Sequence, residues 1–345
     1  MKKVLMALSG GVDSSVAAAV LLEQGHEVVG ITMKLWGGES DSGCCSVSDV
    51  DDARRVAQQL DIDHYVFNFS EEFDRYVVDP YVQAHRDNRT PNPCVECNRH
   101  LKFDVLLRRC DELGFDAVAT GHHARVCRVD GASFVARGAD AAKDQSYVLY
   151  PLTSEALERV MFPIGHLHKS EVREQATRLG LRTARKPDSQ DVCFITHTHG
   201  RETFLGDRIA LRPGRVVDLE GNEIGTTEAV ELVTIGQRRG LNAAGGTEPR
   251  YVVDIDPASA TVTMGSREAL MVDATVLTNM VWARGTRDGE VFAQTSAHGS
   301  PARARCMVAD DGVELRWAEP RVRVAPGQSV VLYVNDCVLG GGIAS

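Results

Sequence analysis

A glycine turn between an apolar run and a helical pattern restricts what the first part of this chain can fold into. The apolar run is residues 4–8, the sequence SGGVDSS occupies residues 9–15, and the helical run is residues 16–22. Gly10 and Gly11 can adopt backbone angles closed to other residues, so the main chain can turn tightly and direct its N–H groups to one point. The following helix aims its unpaired amides and positive dipole end at the same point. The sequence therefore predicts a strand, a turn and a helix that together bind phosphate.

The loop differs from the lysine-containing phosphate loop GxxxxGK[ST], because no lysine follows its glycines. The ordinary alternative is a plain turn in which Asp13 or Ser14 caps a helix. A match of seven positions at a strand-to-helix junction favours the phosphate site. A carboxylate at Asp13 beside phosphates is tolerated chiefly when a cation lies between them, so we also expect Mg²⁺.

Strand and helix patterns alternate through the first 200 residues. Residues 27–32 and 64–69 are predicted strands, and residues 49–60 and 101–113 are predicted helices. A further buried strand is expected at residues 117–120. Such alternation predicts a parallel sheet with helices on both faces, whose ligands bind at the carboxyl ends of the strands. The glycine loop, Met33, residues 92–97 and the pair Gly121-His122 all fall at or near such ends.

The pattern changes after about residue 205, where short alternating runs are separated by hairpin signals. Turns are expected at residues 220–222, 256–257, 311–312 and 335–336. We predict an α/β fold with a parallel-sheet domain followed by two small β-rich, barrel-like domains. Boundaries near residues 212–214 and 265–267 divide the chain into residues 1–205, 206–270 and 271–345.

Composition limits the partners and the compartment. The formal charge of −10 argues against general affinity for nucleic acid. Residues 182–215 nevertheless contain seven Lys and Arg against four acidic residues, a local surplus of three positive charges. No stretch is long and apolar enough to cross a bilayer, and the start MKKVLMAL lacks a cleavage pattern. Nine cysteines without the spacing of a secreted scaffold fit a cytoplasmic protein with reduced thiols.

Cysteines mark a second site, in TPNPCVECNRHLKF at residues 90–103. The two prolines favour an extended approach, after which Cys97 is expected just before a helix and beside cationic side chains. Both features would lower the pKa of its thiol. Cys193 lies in another loop, PDSQDVCF at residues 187–194. A zinc site or three structural cysteines are the alternatives, although no second CxxC or close pair of histidines completes a zinc ligand set.

These motifs together resemble one family. The segments that carry the resemblance are SGGVDSS, TPNPCVECNRHLKF, TGHHAR, KDQSY, PDSQDVCF, TIGQRRGL, PARAR, PGQSVV and LGGGI. Their combination, which spans essentially the whole chain, is similar to the tRNA-specific 2-thiouridylases among the PP-loop ATP pyrophosphatases. The resemblance implies an adenine nucleotide alpha hydrolase-like catalytic domain. It also implies that ATP adenylates the C2 oxygen of the wobble uridine in tRNA and that persulfide sulfur then displaces AMP.

The resemblance further implies roles for individual residues. Cys193 would carry the persulfide and Cys97 would be its partner, either releasing sulfur or closing a disulfide, with Asp13 at the adenylating loop. The ATP site would contain Ala7, Leu8, Ser9, Gly10, Gly11, Val12, Asp13, Ser14, Met33 and Gly121. The tRNA contacts would be Asn92, Pro93, Cys94, His122, Lys143, Asp144, Gln145, Arg303, Ala304 and Gln328. His122 could equally be a structural hydrogen-bonding residue. The sulfur would come from a persulfide donor such as a cysteine desulfurase or a relay protein.

One position departs from the family. Known members have aspartate where this chain has Cys94, which predicts three cysteines, Cys94, Cys97 and Cys193, around one pocket. Three thiolates can hold a [4Fe–4S] cluster with one open iron, so a cluster mechanism stands beside the persulfide mechanism that we favour. The other six cysteines are interpreted as packing or incidental: Cys44, Cys45, Cys110, Cys127, Cys306 and Cys337.

Two other functions remain possible from sequence. A PP-loop ligase or amidotransferase acting on a small molecule would need neither the cysteines nor the extra β domains. A non-enzymatic tRNA-binding or redox-sensing protein would not need the intact Asp13 and Ser14.

Overall fold

The computed structural model describes residues 1–35, 47–188, 192–195, 200–243, 249–310 and 312–345. Its α-helices, in chain order, are α1 Val12–Glu23, α2 Val47–Gln59, α3 Ser70–Phe73, α4 Asp79–Arg86, α5 Pro93–Glu96, α6 Leu106–Glu112, α7 Ser154–Leu157, α8 Lys169–Arg178 and α9 Gly200–Gly206. Its strands are β1 Lys3–Ala7, β2 Glu27–Lys34, β3 His64–Asn68, β4 Ala117–Ala119, β5 Ala124–Val129, β6 Ala132–Arg137, β7 Val160–Met161, β8 Gly214–Val217, β9 Glu223–Thr227, β10 Asn242–Ala243, β11 Tyr251–Asp256, β12 Thr261–Gly265, β13 Met271–Trp282, β14 Gly289–Gln294, β15 Ala302–Ala309, β16 Gly312–Val322, β17 Ser329–Val334 and β18 Cys337–Ala344.

The N-terminal sheet has the order β3-β2-β1-β4-β7, and its paired strands are parallel. Apolar side chains of β1 alternate between two clusters: Val4 and Met6 pack with α1 and α8, and Leu5 packs with α6. This confirms the predicted parallel sheet with helices on both faces. Because the strands are parallel, the carboxyl ends of β1, β2 and β4 lie at one edge, as predicted.

The helix predicted at residues 101–113 begins earlier and has two geometries. A π-helical segment covers Cys97–Val105 and continues as α6. It follows α5, so the helical path starts at Pro93 with Pro at the first position. Proline is favoured there because its missing N–H is not needed. The expectation that Cys97 precedes the helix was therefore wrong: the first helical turn holds Cys94.

A five-stranded sheet with the order β10-β9-β8-β12-β11 follows. Its core contains Val216, Val230, Val252 and Val262. The turns predicted at residues 220–222 and 256–257 connect its hairpins.

The C-terminal strands form a closed six-stranded barrel. Neighbouring strands follow the order β13-β16-β15-β14-β17-β18, and β18 pairs back with β13 to close it. Closure leaves no barrel edge with unpaired backbone groups. The α/β fold with two β-rich modules that the sequence predicted is thus present.

The β5–β6 hairpin joins the N-terminal part to this barrel. Ala136 of β6 pairs with Cys337 of β18, and a disulfide links Cys127 to Cys337. The guanidinium of Arg137 lies 3.9 Å from the ring centroid of Tyr333 and donates to Gln294 Oε1 at 2.9 Å. The interpretation of Cys127 and Cys337 as incidental was wrong, because hairpin docking brings together residues 210 positions apart.

The remaining cysteines divide into two groups. Cys110 and Cys306 are fully buried, as the packing interpretation expects, and burial raises the pKa of the Cys306 thiol to about 11. Cys44 and Cys45 lie outside the described residues. Within the described residues, we find no helix with the length and apolar character needed to span a membrane.

Candidate functional site

The glycine loop lies between β1 and α1. Gly10 has a φ of +70°, in the region that favours glycine, whereas Gly11 is extended with a φ of −94°. Of the two glycines, only Gly10 therefore uses the conformational freedom that the sequence suggested for both. The Ser14 hydroxyl accepts from the Ser9 backbone N–H at 3.2 Å and donates to the Gly11 carbonyl at 3.1 Å. These bonds fix the loop so that the α1 amides face the open edge of the sheet.

Gly121 brings the end of β4 against the start of α1. A Cβ atom built at Gly121 would lie 2.6 Å from the Ser14 nitrogen and 2.8 Å from the Asp13 carbonyl carbon. Because these are backbone atoms, no larger residue fits there without moving the helix. Met33 of β2 is half-buried near the same edge. The structure thus gathers the predicted ATP-site segments, residues 7–14 with Met33 and Gly121, around one edge.

Asp13 is the centre of a partly buried charge network. Both of its carboxylate oxygens accept from Lys169 Nζ at 2.7 Å, and Oδ1 also lies 3.2 Å from His123 Nε2. Burial by itself would raise the pKa of Asp13, but the hydrogen bonds from His123 and Lys169 outweigh it and hold the pKa below its usual value. The carboxylate therefore stays ionised without a metal ion. Lys169 and His123 thus compensate the charge of Asp13 in this structure, and Mg²⁺ beside bound phosphates stays a prediction.

A second lysine holds the glycine turn itself. Lys186 Nζ donates to the Gly10 carbonyl at 3.0 Å and contacts Asp49 and Asp52 of α2 at 2.6 and 2.7 Å. Arg182 also pairs with Asp52, at 3.1 Å. Two acidic side chains of α2 thus neutralise part of the positive charge counted at residues 182–215. Lys186 also hydrogen-bonds the backbone of the glycine loop.

Asp188, five residues before Cys193 in the sequence, lies among three cations. Its carboxylate lies 2.7 Å from Lys143 Nζ, 2.9 Å from Lys169 Nζ and 2.8 Å from an Arg173 guanidinium nitrogen. Burial would raise the pKa of Asp188, but the hydrogen bonds from Lys143 and Lys169 lower it to about 2. Lys169 therefore contacts both Asp13 and Asp188.

The cysteine segment begins with a helix cap. The side chain of Asn92 accepts from the Cys94 backbone N–H at 3.2 Å, and Cys94 is exposed. Cys97 is buried in an apolar cluster against which Cys193 and Met33 also pack. The two cysteines that the resemblance pairs thus border one cluster. Cys94 is not among the residues of that cluster.

The cationic side chains expected beside Cys97 have acidic partners. Arg99 lies 3.9 Å and His100 3.4 Å from the Glu96 carboxylate, and His100 also contacts Asp104 at 3.1 Å. The positive charge expected beside Cys97 is thus shared with carboxylates in this structure.

The three cysteines are not arranged as ligands of a cluster in this structure. Over the parts of the chain that the structure describes, no three His, Cys, Asp or Glu side chains are grouped so that they could hold a metal ion. Cys94, Cys97 and Cys193 therefore do not form a ready ligand set, and we derive no step through an iron–sulfur cluster.

The tRNA contacts that the resemblance suggested for the N-terminal part occupy different environments. His122 is buried, with Nδ1 2.7 Å from the Thr120 hydroxyl, and burial holds its pKa well below the usual value. Its packing against Phe103 and Phe162 fits the structural alternative. Asp144 accepts from Arg137 at 2.9 Å, and exposed Gln145 accepts from the His123 backbone N–H at 2.9 Å. Lys143 is one of the three cations that contact Asp188.

The tRNA contacts that the resemblance suggested in the barrel differ in how exposed their side chains are. Arg303 is exposed on β15, whereas neighbouring Ala304 points into the barrel core. Gln328 donates to the Thr90 carbonyl at 3.0 Å, and the Thr90 N–H donates to the Pro326 carbonyl at 2.7 Å. The loop of residues 326–328 therefore holds the start of the cysteine segment.

Sequence reasoning missed four residues of this site: His123, Lys169, Lys186 and Asp188. His123 follows the motif residue Gly121 by two positions, and Asp188 lies inside PDSQDVCF, so both stood within motifs already noted. Lys169 carried no local signal, because its partner Asp13 is 156 residues away.

Comparisons with known proteins cover nearly the whole chain. The family described as "tRNA methyl transferase HUP domain" matches residues 2–197. The families "tRNA methyl transferase PRC-barrel domain" and "Aminomethyltransferase beta-barrel domain" match residues 202–266 and 272–344.

Two curated relatives share almost the full length. The "tRNA-specific 2-thiouridylase MnmA" of Geobacter metallireducens is 45% identical, with 99% of this chain and 96% of the relative covered. The protein of the same name from Chloroflexus aggregans is 46% identical, with 99% and 98% covered. Among solved structures, the U34-tRNA thiolase NcsA from Methanococcus maripaludis with its [4Fe-4S] cluster aligns at 20% identity and a TM-score of 0.37, covering 60% of this chain and 63% of that chain.

Proposed function

Because the chain belongs to the MnmA family of tRNA-specific 2-thiouridylases, we propose that it uses ATP to convert the wobble uridine of tRNA to 2-thiouridine. The observation that carries this proposal is the placement of two sites side by side. The glycine loop with Asp13 lies at the carboxyl edge of the sheet, and Met33 of that edge packs against the cluster bordered by Cys97 and Cys193.

The loop residues fit the phosphates of ATP. The tight turn at Gly10 and the start of α1 offer backbone N–H donors, and Lys169 supplies a positive charge beside them. Attack by the C2 oxygen of uridine on the α-phosphorus forms an O–AMP bond and releases pyrophosphate. Mg²⁺ is proposed to accompany the phosphates, because in such sites it is bound by substrate phosphates, one or two carboxylates and several waters.

Sulfur transfer is assigned to the cysteines. The terminal sulfur of a persulfide on Cys193 attacks C2, and AMP leaves with the former C2 oxygen. The Cys97 thiolate then attacks Cys193 Sγ and releases the sulfur on the base, leaving a Cys97–Cys193 disulfide. A thiol reductant reopens that disulfide. Both side chains pack in the same apolar cluster and so belong to one part of the fold.

The partners follow from this chemistry. The sulfur donor is a persulfide-bearing protein such as a cysteine desulfurase or a relay protein, and the site of action is the cytoplasm, where tRNA is available. The predicted tRNA residues remain proposals; exposed Arg303 is suited to a phosphate contact, whereas buried Ala304 contributes through packing.

The test is mass analysis of wobble-uridine nucleosides from cells that lack this gene. Loss of 2-thiouridine, restored by the wild-type gene and not by a Cys193→Ala gene, is expected. Unchanged 2-thiouridine would refute the proposed function. Exchange between ATP and pyrophosphate without tRNA would instead favour a small-molecule ligase.

A further inference from the structure

A turn of the barrel holds the cysteine segment at Thr90. The Pro326 carbonyl accepts from the Thr90 N–H at 2.7 Å, and the Gln328 side chain donates to the Thr90 carbonyl at 3.0 Å. Between them, Gly327 has a φ of +93°, and a Cβ atom built there would lie 2.8 Å from the Thr90 nitrogen. Both backbone groups of Thr90 are therefore bonded to one turn of the barrel, in a close contact that requires glycine at position 327.

The next residue of the turn reaches the same segment through Tyr147. Tyr147 and Ser329 are each 1% exposed, and the Tyr147 hydroxyl donates to the Ser329 carbonyl at 2.8 Å. Burial and the nearby Tyr150 and Tyr333 raise the pKa of Tyr147, and a hydrogen bond with the Asn92 side chain partly offsets that rise. A hydrogen bond that lowers the pKa of a phenol is donated to its oxygen, because it stabilises the anion. Asn92 therefore donates its amide N–H to the Tyr147 oxygen.

The other end of the Asn92 amide is bonded to the cysteine helix. Its Oδ1 atom accepts from the Cys94 backbone N–H at 3.2 Å, and the Cys97 N–H donates to the Cys94 carbonyl in the same helical turn. A side-chain amide has one donor end and one acceptor end, so the bond to Tyr147 fixes which end faces Cys94. Hydrogen bonds thus run from the barrel through Tyr147 and Asn92 to the backbone of Cys97.

We propose that Tyr147 is a positioning residue, which places Cys97 relative to the docked barrel by orienting the Asn92 helix cap. The inference rests on the proposed function only for the role of Cys97 in sulfur transfer. The bonds themselves are measurable without tRNA or a sulfur donor. Tyr147→Phe is a suitable probe because it removes only the hydroxyl from a ring that packs in the same apolar cluster as Val95.

The first experiment measures hydrogen exchange of the Cys94 amide by NMR of the full-length protein labelled with ¹⁵N-cysteine. Tyr147→Phe should speed this exchange by at least about fivefold, the effect of weakening one hydrogen bond that caps a helix. Tyr333→Phe is the matched control, because it removes a buried hydroxyl of the same cluster that hydrogen-bonds Ser146 at 3.1 Å instead. It should leave the rate within about twofold of wild type. Exchange of the Cys306 amide in the barrel core reports whether either variant loosens the fold.

Asn92→Ala tests the route through the amide. Without that amide the Cys94 N–H loses this acceptor, so its exchange should already be fast, and adding Tyr147→Phe should change it by less than about twofold. A wild-type rate in Tyr147→Phe, or an equal effect of Tyr333→Phe, would overturn the inference. So would fully additive effects of Asn92→Ala and Tyr147→Phe.

The second experiment separates positioning from a general loss of activity. In a single turnover with saturating tRNA, ATP and a persulfide donor, Tyr147→Phe should slow 2-thiouridine formation by at least about fivefold, while pyrophosphate release stays within about twofold of wild type. Equal slowing of both steps would contradict a positioning role at Cys97. If the wild-type protein forms no 2-thiouridine although the exchange results hold, the hydrogen-bond route stands and the proposed function fails.

Discussion

Asp13 stays ionised because Lys169 and His123 donate to it inside a partly buried site. Its charge fixes an ammonium beside the phosphate loop, and that ammonium is the feature that a phosphate would meet. Asp13 therefore contributes to the proposed reaction by holding the Lys169 ammonium in place.

We predict that Asp13→Asn reduces tRNA-dependent AMP and pyrophosphate formation by at least about a hundredfold, which corresponds to nearly 3 kcal/mol. The fold should survive because Lys169 retains Asp188 as a partner. Release of labelled pyrophosphate, with circular dichroism as the control for folding, checks this. Turnover near the wild-type rate would refute the PP-loop assignment.

Cys94 and Cys97 differ in environment although two residues separate them. Cys94 is exposed in the first turn of α5, whereas Cys97 is buried beside the cluster that Cys193 borders. This difference favours a bystander role for Cys94 in the persulfide mechanism.

Cys94→Asp should therefore keep most 2-thiouridine formation, whereas Cys97→Ala and Cys193→Ala should lose it. Thiolation assays with a persulfide donor, together with iron and acid-labile sulfide per chain in anaerobically prepared protein, provide the measurement. An inactive Cys94→Asp that still binds ATP and tRNA, accompanied by iron in the wild type, would favour the cluster mechanism instead.

At the scale of elements, helix α4 attaches the N-terminal domain to the central sheet domain. His85 of α4 is 3% exposed and donates through Nδ1 to the Glu231 carbonyl at 3.2 Å. Burial lowers the pKa of His85 to about 4, against an ordinary value of 6.5. The folded protein therefore contains neutral His85 down to acidic pH.

This shift makes stability depend on pH. Above about pH 6.5 the contribution of neutral His85 is fully present; as pH falls to about 4, the unfolded chain binds a proton that the folded chain does not, and stability is lost. The loss should be at most about 3 kcal/mol. Urea unfolding of wild type and His85→Gln at pH 7.5, 6, 5 and 4 tests it. The variant should show a shallower fall, and identical slopes would contradict the prediction.

The turn at residues 182–185 positions a second lysine contact. Arg182 and Lys186 bind carboxylates of α2, and Lys186 also holds the Gly10 carbonyl. The positive charge at this turn therefore stabilises the glycine loop, and it could in addition contact tRNA.

Lys186→Met should weaken ATP binding by about tenfold, near 1.4 kcal/mol. The exposed neighbouring substitution Arg185→Glu should leave ATP binding unchanged and weaken tRNA binding in a salt-dependent manner. Equilibrium binding of each ligand at two salt concentrations distinguishes the two effects. Equal loss of ATP affinity in both variants would show that the turn acts only through its net charge.

At the scale of the whole molecule, the barrel packs on the N-terminal domain through a glycine. A Cβ built at Gly341 would lie 2.7 Å from the Val330 carbonyl and 2.8 Å from the Tyr150 ring, which is fully buried. The ring thus occupies space that a side chain on β18 would otherwise take.

Gly341→Ala should therefore destabilise the protein by about 1–3 kcal/mol, the usual cost of overpacking. Gly206→Ala is the control, because the nearest atom to its Cβ would be 3.5 Å away. Urea unfolding compares the two variants. A Gly341→Ala protein as stable as the control would contradict the prediction and show that this contact accommodates a methyl group.

The sequence predicted the elements well because their signals are local. The apolar run at residues 4–8, the strand pattern at residues 27–32 and the glycine loop sufficed to predict the sheet and the position of the loop at its edge. Turn residues such as Asn335, which has a φ of +52°, marked the β hairpins.

The site was predicted less completely because its contacts are long-range. Asp13 meets His123 and Lys169 across 110 and 156 residues, and Cys127 meets Cys337 across 210. Such pairs depend on how the sheet orders its strands and on where the barrel docks. The start of the helix before Cys97 was misplaced for another reason: Pro93 was read as an extended residue, although it suits the first position of a helix.

The contacts between KDQSY and the barrel limit how these domains can be inherited. Ser146 contacts the Tyr333 hydroxyl at 3.1 Å, and the Tyr147 hydroxyl donates to the Ser329 carbonyl at 2.8 Å. A recombination event that replaced the barrel alone would introduce a barrel surface that had evolved in contact with a different N-terminal domain. Only exchanges that carry residues 143–147 with the barrel should produce a working chimaera, so the two segments should be transmitted as one evolutionary unit.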